Sequence, residues 1–228
     1  MQTTNLVVVA HPDDEILGIG ATGAKLVRQG EVVQALILCG NVDARTLRPK
    51  DADLASDLAR ANEAVGFEMP VLGDFPNIRM NSVPHIELVQ FMEEHLAKIG
   101  PLRVFTHHPA DLNDDHRQVS RACLAAFRLF QRRADVVPPR SLHFMEIQSA
   151  TDWCLDPTLS GFRPNLYVEI ADELDRKLEA LSCYRNVMRD YPHSRSDEAI
   201  RGLAAVRGAQ SGQLYAEAFQ TVFRREFS

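Results

Sequence analysis

The chain has 228 residues, 45% of them hydrophobic and 25% charged, with 25 Lys plus Arg against 31 Asp plus Glu and a formal net charge of −6. Such values describe a globular chain able to bury a sizeable core, most simply as one domain over 1–228. An acidic balance without clustered Lys and Arg excludes nucleic acid and anionic membrane as expected partners, and no apolar run reaches the roughly 18–20 residues of a membrane span.

LVVVA at 6–10 is a short continuous apolar run, the pattern of a strand buried on both faces. Residues 14–29 follow as a helix, with Ile16, Ile19, Gly23, Leu26 and Val27 on one side and Gly30 at the C-cap position. A second buried strand spans 32–38. Strand, helix and strand at this spacing make a βαβ unit, which predicts a parallel sheet. Further on, 54–65 reads as a helix, 71–72 as the start of a short extended piece, and 84–99 as a helix opened by Pro84. A third core strand at 103–106 ends in His107 and His108. Then come a helix at 115–133, strands at 141–146 and 166–170, and a helix at 171–188. Two last helices are expected between Ser196 and Phe223, separated by Arg207-Gly208. The expected fold is α/β: a Rossmann-like open, mostly parallel sheet flanked by helices.

The four cysteines, at 39, 123, 154 and 183, form no CxxC pair, and the N-terminus lacks a basic region followed by an apolar one. Both features point to a reducing compartment, so a cytoplasmic location is the expectation.

Ligands of open parallel sheets bind beyond the carboxyl ends of the strands, and two polar clusters fall there. The first is AHPDDE at 10–15. One carboxylate at a helix start is ordinary capping, but two adjacent Asp beside a His repel one another unless a cation is present. A divalent metal resolves the conflict if His11 and one Asp bind it and the other Asp faces the water it activates. The bland alternative has Asp13 as N-cap, Asp14 and Glu15 against the helix dipole, and His11 as packing. The second cluster, THHPADLNDDHR at 106–117, brings more imidazoles and carboxylates to the same sheet edge. Neither cluster holds a cysteine, which argues against a structural zinc site.

GIGATG at 18–23 fits a dinucleotide-binding GxGxxG pattern, yet it begins eight residues past the strand, inside the helix. In a dinucleotide fold those glycines form the turn directly after the strand. The small residues here instead allow the helix to lie close on the sheet. Trp153 reads equally as core or as a ring to stack on a sugar, while His143, alternating with Leu142 and Phe144, reads as structural.

AHPDDE after the first strand, joined to NDDH at 113–116, resembles the LmbE-like (PIG-L) deacetylases, and the likeness extends to YPHSRS at 191–196. The resemblance implies a zinc-dependent enzyme in which His11, Asp14 and His116 hold Zn2+ and Asp13 is the general base. It also implies that Asp115 orients a ligand imidazole. Many members carry a His where this chain has Asn113, which can donate to an oxyanion but cannot deliver a proton. Asp13, His193, Asp111 or His108 would then return it. Leu54 stands at a place where an Arg often binds substrate, so Arg79 or Arg195, together with Asp111 and His193, become the expected substrate contacts.

The implied activity is hydrolysis of an N-acyl, typically acetyl, group from an amino sugar, with a small-molecule partner and a homo-oligomer left open. Two rivals stand beside it: an amidase on a non-sugar or thiol-conjugate amide, and a non-catalytic binder of the same fold.

Overall fold

The computed structural model describes residues 2–40 and 51–226. Its centre is β1 (Thr4–Val9), whose side chains alternate between two cores: Val7 and Val9 face one, Leu6 and Val8 the other. All four are essentially fully buried, each contributing about 1.5–3 kcal/mol. The strand that ends at the first polar cluster is therefore firmly anchored.

Parallel neighbours β2 (Val32–Ile37) and β4 (Arg103–Thr106) flank β1, and β3 (Glu68–Leu72) and β5 (Ser141–Met145) extend the parallel sheet outward. β7 (Ala216–Arg224) then runs antiparallel to both β5 and the edge strand β6 (Leu166–Glu169). The order is β3-β2-β1-β4-β5-β7-β6. Helices α1 (Asp14–Arg28), α2 (Asp51–Val65), α5 (Leu174–Cys183) and α6 (Asp197–Ser211) cover one face; α3 (His85–Ile99) and α4 (Asp114–Ala126) cover the other. This is the expected open, mostly parallel α/β sheet. Among the described residues no helix is long and apolar enough to cross a membrane, and all four cysteines are free.

Three expectations need correction. Two helices were expected near the C-terminus, but α6 runs through Arg207-Gly208 and is followed by a strand, β7. Gly208 does not break the helix. A Cβ there would stand 2.6 Å from the Leu214 carbonyl oxygen, so the missing side chain admits the returning chain. The helix expected over 171–188 ends at Cys183, because Tyr184 turns to extended backbone and sends its hydroxyl to Glu15. The helix expected over 115–133 ends at Ala126 and continues as a 3-10 turn, Phe127–Gln131.

The glycine-rich stretch of α1 fits the packing role expected of it. A Cβ on Gly23 would meet the Phe67 ring at 2.2 Å. Halfway along α1, the Glu217 carboxylate of β7 accepts from the backbone N–H groups of Ala21 (3.2 Å) and Thr22 (2.6 Å). Lys177 of α5 donates to the Leu17 carbonyl and to Glu217, both at 2.7 Å. A buried ion pair thus clamps α1 to the strand and helix that follow it by some 160 to 200 residues.

Candidate metal centre and active site

Strand order reverses between β1 and β4: the chain builds outward to β3 on one side and to β5 on the other. The crevice beyond their carboxyl ends is where such sheets bind ligands. The loop leaving β1 carries His11 and Asp13 and opens α1 at Asp14, while the loop leaving β4 carries His107, Asp111 and Asn113 and leads into the first turn of α4 with Asp115 and His116.

Three atoms meet at the centre. His11 Nδ1 lies 3.3 Å from Asp14 Oδ2 and 3.3 Å from His116 Nε2, and His116 Nε2 lies 3.2 Å from Asp14 Oδ2. A tetrahedral ion with bonds of about 2.0–2.1 Å holds its ligand atoms about 3.3 Å apart. The triangle therefore fits a zinc-sized ion without rearrangement, and these residues are one of the groupings able to hold a metal.

The outward nitrogen of each imidazole is tied to a carboxylate. His11 Nε2 meets Asp115 Oδ2 at 2.9 Å, and His116 Nδ1 meets Asp111 Oδ2 at 3.0 Å. Each bond places the ring proton on the outer nitrogen and leaves the inner one as a lone-pair donor, the tautomers a metal requires. Asp115 is itself held by the backbone N–H groups of Ile78 (2.6 Å) and Met80 (3.0 Å). Asp111 also accepts from Thr151 Oγ1 and the Asn113 N–H. Asp111, expected at the substrate, is fully buried and bonded to His116.

Two other groupings compete, His107 with Asp111 and His116, and His11 with Cys39 and Asp115. The first would take His107 away from the Ala10 N–H, which donates to its Nε2 at 2.9 Å. Burial, then the neighbouring His116, pushes the His107 pKa down to about 3. Its neutral ring stacks on His116, with centroids 3.8 Å apart. His108 turns toward Phe144 and Phe162 and accepts from the Ala110 N–H.

The electrostatics ask for a cation. Asp13, Asp14, Asp111 and Asp115 are all at most 1% exposed. Burial works against charge on His116, yet Asp14 and then Asp111 overcome it and raise its pKa to about 10.

Asp13 stands apart from the triangle. It stands at the N-cap position of α1 with Asp14 and Glu15 in the first turn, yet its backbone is left-handed, φ 111°, and its side chain makes no capping bond to the helix. Strain of this kind costs on the order of 1–3 kcal/mol and persists only where surroundings impose it. Here the Asp13 N–H donates to Glu15 Oε2 at 3.0 Å, while Glu15 Oε1 takes Asn62 Nδ2 at 3.1 Å and the Tyr184 hydroxyl. Burial of Glu15 raises its pKa to about 7. Arg195 Nη1 donates to Asp13 Oδ2 at 3.0 Å, and Arg195 Nε donates to Ser149 Oγ at 2.7 Å.

The other expected residues divide. Arg195 reaches the site. His193 is exposed, and its Nδ1 accepts the Arg195 N–H at 3.0 Å, so it shapes the turn before α6. Asn113 caps α4, accepting from the Asp115 N–H at 2.9 Å, which fixes its amide at the site edge with its own N–H donors uncommitted by that bond. Arg79 is exposed between the two backbone groups that hold Asp115. Trp153, half exposed, follows Thr151 on the loop leaving β5 and is not core. Glu15, Asn62, Tyr184, Ser149 and Thr151 escaped the sequence reading. Only Glu15, inside AHPDDE, offered a signal; the rest come from distant segments joined by folding.

A family model described as PIG-L, GlcNAc-PI de-N-acetylase, matches residues 6–127, which span both site loops. An uncharacterized deacetylase of Escherichia coli K12, YaiS, is 28% identical over 132 residues, 54% of this chain and 67% of that protein. Among solved structures, GalB, the 4-carboxy-2-hydroxymuconate hydratase of Pseudomonas putida, superposes with a TM-score of 0.81 at 19% identity, covering 100% of this chain and 99% of its own. A conserved protein of Thermus thermophilus gives 0.77 at 24%, covering 100% and 98%. The N,N'-diacetylchitobiose deacetylase of Pyrococcus horikoshii gives 0.76 at 19%, covering 96% and 84%. At these identities the structural likeness is one of fold, and the residue-level match over both site loops places the chain in the PIG-L de-N-acetylase family.

Proposed function

We propose that this chain, as a single domain over 1–228, is a zinc-dependent hydrolase that removes an acetyl or similar acyl group from the nitrogen of an amino sugar or sugar conjugate. The observation that carries the reading is the triangle of His11, Asp14 and His116, with Asp13 outside it, bonded to Arg195 and held at a strained backbone. A zinc ion held by those three residues would polarise the amide carbonyl and lower the pKa of a water toward about 7. Asp13 takes the proton from the attacking water, and Arg195 keeps its carboxylate turned toward the reaction. Asn113 donates to the oxyanion. Protonated Asp13 then returns the proton to the departing amine, because His193 is engaged in its own turn. Arg79 and Trp153, exposed on the loops after β3 and β5, are the side chains we assign to the sugar. Asp111 and Asp115 keep the imidazoles in their metal-binding tautomers. The four free cysteines support a reducing compartment, the cytoplasm.

Support for sugar amides comes from the de-N-acetylase family model and the chitobiose deacetylase of the same fold. The hydratase on this fold shows that architecture alone does not name the reaction. A panel of N-acetylated amino sugars, a non-sugar acetamide and a hydroxymuconate, read by acetate release and by hydration, tests the reading. Acetate from amino sugars supports it; hydration alone, or acetate from the plain acetamide alone, contradicts it.

A further inference from the structure

A cavity of about 630 Å³ opens at the opposite end of the sheet from the metal centre. That volume lies within the range of small-molecule sites. It lies between α1 and the inner face of β4, β5, β7 and β6, where strands β4 and β5 begin. Phe105, Leu166 and Val168 make its apolar wall. Its floor is a buried polar array: His143 Nδ1 meets Thr221 Oγ1 at 2.9 Å and His143 Nε2 meets Ser141 Oγ at 2.7 Å. Thr22, only 3% exposed, also lines it, and its hydroxyl has no hydrogen-bond partner.

The lining itself carries charge of one sign. Lys25 of α1, Arg103 of β4, Arg140 just before β5 and Arg224 of β7 line the cavity, and none of its lining residues is acidic, although the chain as a whole carries −6. Lys25 and Arg103 are paired with carboxylates outside the lining, Glu169 at 3.0 Å and Glu31 at 2.6 Å, which leaves Arg140 and Arg224 as the pair to hold a ligand's charge. Burial, followed by the charges of Arg103 and Arg224, pushes the His143 pKa down to about 4. Two of the arginines converge on one exposed carboxylate: Arg140 Nη2 and Arg224 Nε meet Glu226 at 3.0 and 2.5 Å. Exposed pairs of this kind are worth little, about 0–1 kcal/mol, so an incoming anion can take the place of Glu226.

We propose that this cavity binds a small amphipathic anion, its charged head on Arg140 and Arg224 and its apolar body against Phe105, Leu166 and Val168. Glu226 occupies the head position when the site is empty. The site shares no residue with the metal centre, so it is a binding site separate from the hydrolytic one.

The experiment is calorimetric titration of the full chain, metal-loaded and metal-stripped, with octyl phosphate, inorganic phosphate and octyl glucoside. Saturable 1:1 binding of octyl phosphate, at least tenfold tighter than either control and equal in both metal states, is expected. Arg224→Glu should weaken it at least tenfold, Val168→Trp should abolish it by filling the cavity, and Glu226→Gln should tighten it. Circular dichroism verifies that each variant is folded. Equal affinity for octyl glucoside, loss of binding on metal removal, or indifference to both Arg224→Glu and Glu226→Gln would overturn the proposal. So would an oligomer that Val168→Trp disperses, combined with no saturable binding of octyl phosphate, since a second copy would then cover the cavity. Failure of acetate release leaves these titrations unaffected, so the two readings fail separately.

Discussion

Arg195 and Asp13 are 182 positions apart in sequence and share a hydrogen bond of 3.0 Å in the buried site. Arg195 enters from the turn between α5 and α6 and is braced by Ser149, whose own backbone is left-handed at φ 71°. Asp13 is strained from the other side, through Glu15. Both partners of the pair are thus oriented before any substrate arrives, which is the condition for a positioned general base.

Arg195→Ala should therefore lower kcat more than it raises KM. A hydrogen bond to a charged group is worth about 1.5–3 kcal/mol, which corresponds to a loss of roughly tenfold to a hundredfold. Arg195→Lys should recover part of it. A change confined to KM would make Arg195 a substrate contact only.

Removing the carboxylates behind the imidazoles should act on the metal rather than on the base. Asp111→Asn and Asp115→Asn are each expected to lower zinc affinity about 10–100-fold. Competition with a chromophoric chelator measures this directly, and unchanged affinity in both variants would refute the assigned support.

How much of this was legible in the sequence follows from distance along the chain. His11, Asp13 and Asp14 lie in one hexapeptide after a plainly apolar strand, and His116 lies in a second run after another. Period and spacing located both runs, and the resemblance to the LmbE-like deacetylases assigned the roles within them. Tyr184 and Asn62, which meet at Glu15, carry no local pattern, because what defines them is a tertiary contact. Gly208 misled for a physical reason: the same residue serves to end a helix or to admit a neighbouring backbone, and only the returning chain at Leu214 distinguishes the two. β7 was hidden because its residues fall from buried at Ala216–Phe219 to partly exposed beyond, blurring the alternation of a strand.

Stability should depend on His143 in mild acid. Burial lowers its pKa to about 4 from 6.5, so below pH 6.5 the unfolded chain binds the proton that the folded chain refuses. Its contribution is complete above pH 6.5 and is lost as pH falls toward 4. Between pH 7 and pH 5 the expected loss from this residue is about 2 kcal/mol. In urea unfolding, His143→Gln should show a pH 7 to pH 5 decline smaller by about that amount. Identical declines would show that His143 is protonated in the fold.

The clamp on α1 predicts a large stability effect without a chemical one. Lys177→Met leaves Glu217 buried and uncompensated, which typically costs about 3–5 kcal/mol. The urea midpoint should fall accordingly, with activity per folded molecule unchanged. A loss below about 1 kcal/mol would mean that the Glu217 bonds to the α1 backbone suffice alone.

In the proposed mechanism Asp13 removes a proton while His11, Asp14 and His116 hold zinc. Parallel measurement of bound zinc and of acetate release from an N-acetylated amino sugar, in wild type and in Asp13→Asn, tests it most directly. One zinc per chain is expected in both proteins, with a loss of about 10²–10⁴-fold in kcat for the variant, since Asn is nearly isosteric yet cannot accept the proton. A variant that loses its zinc, or one that keeps zinc and retains wild-type turnover, would contradict it.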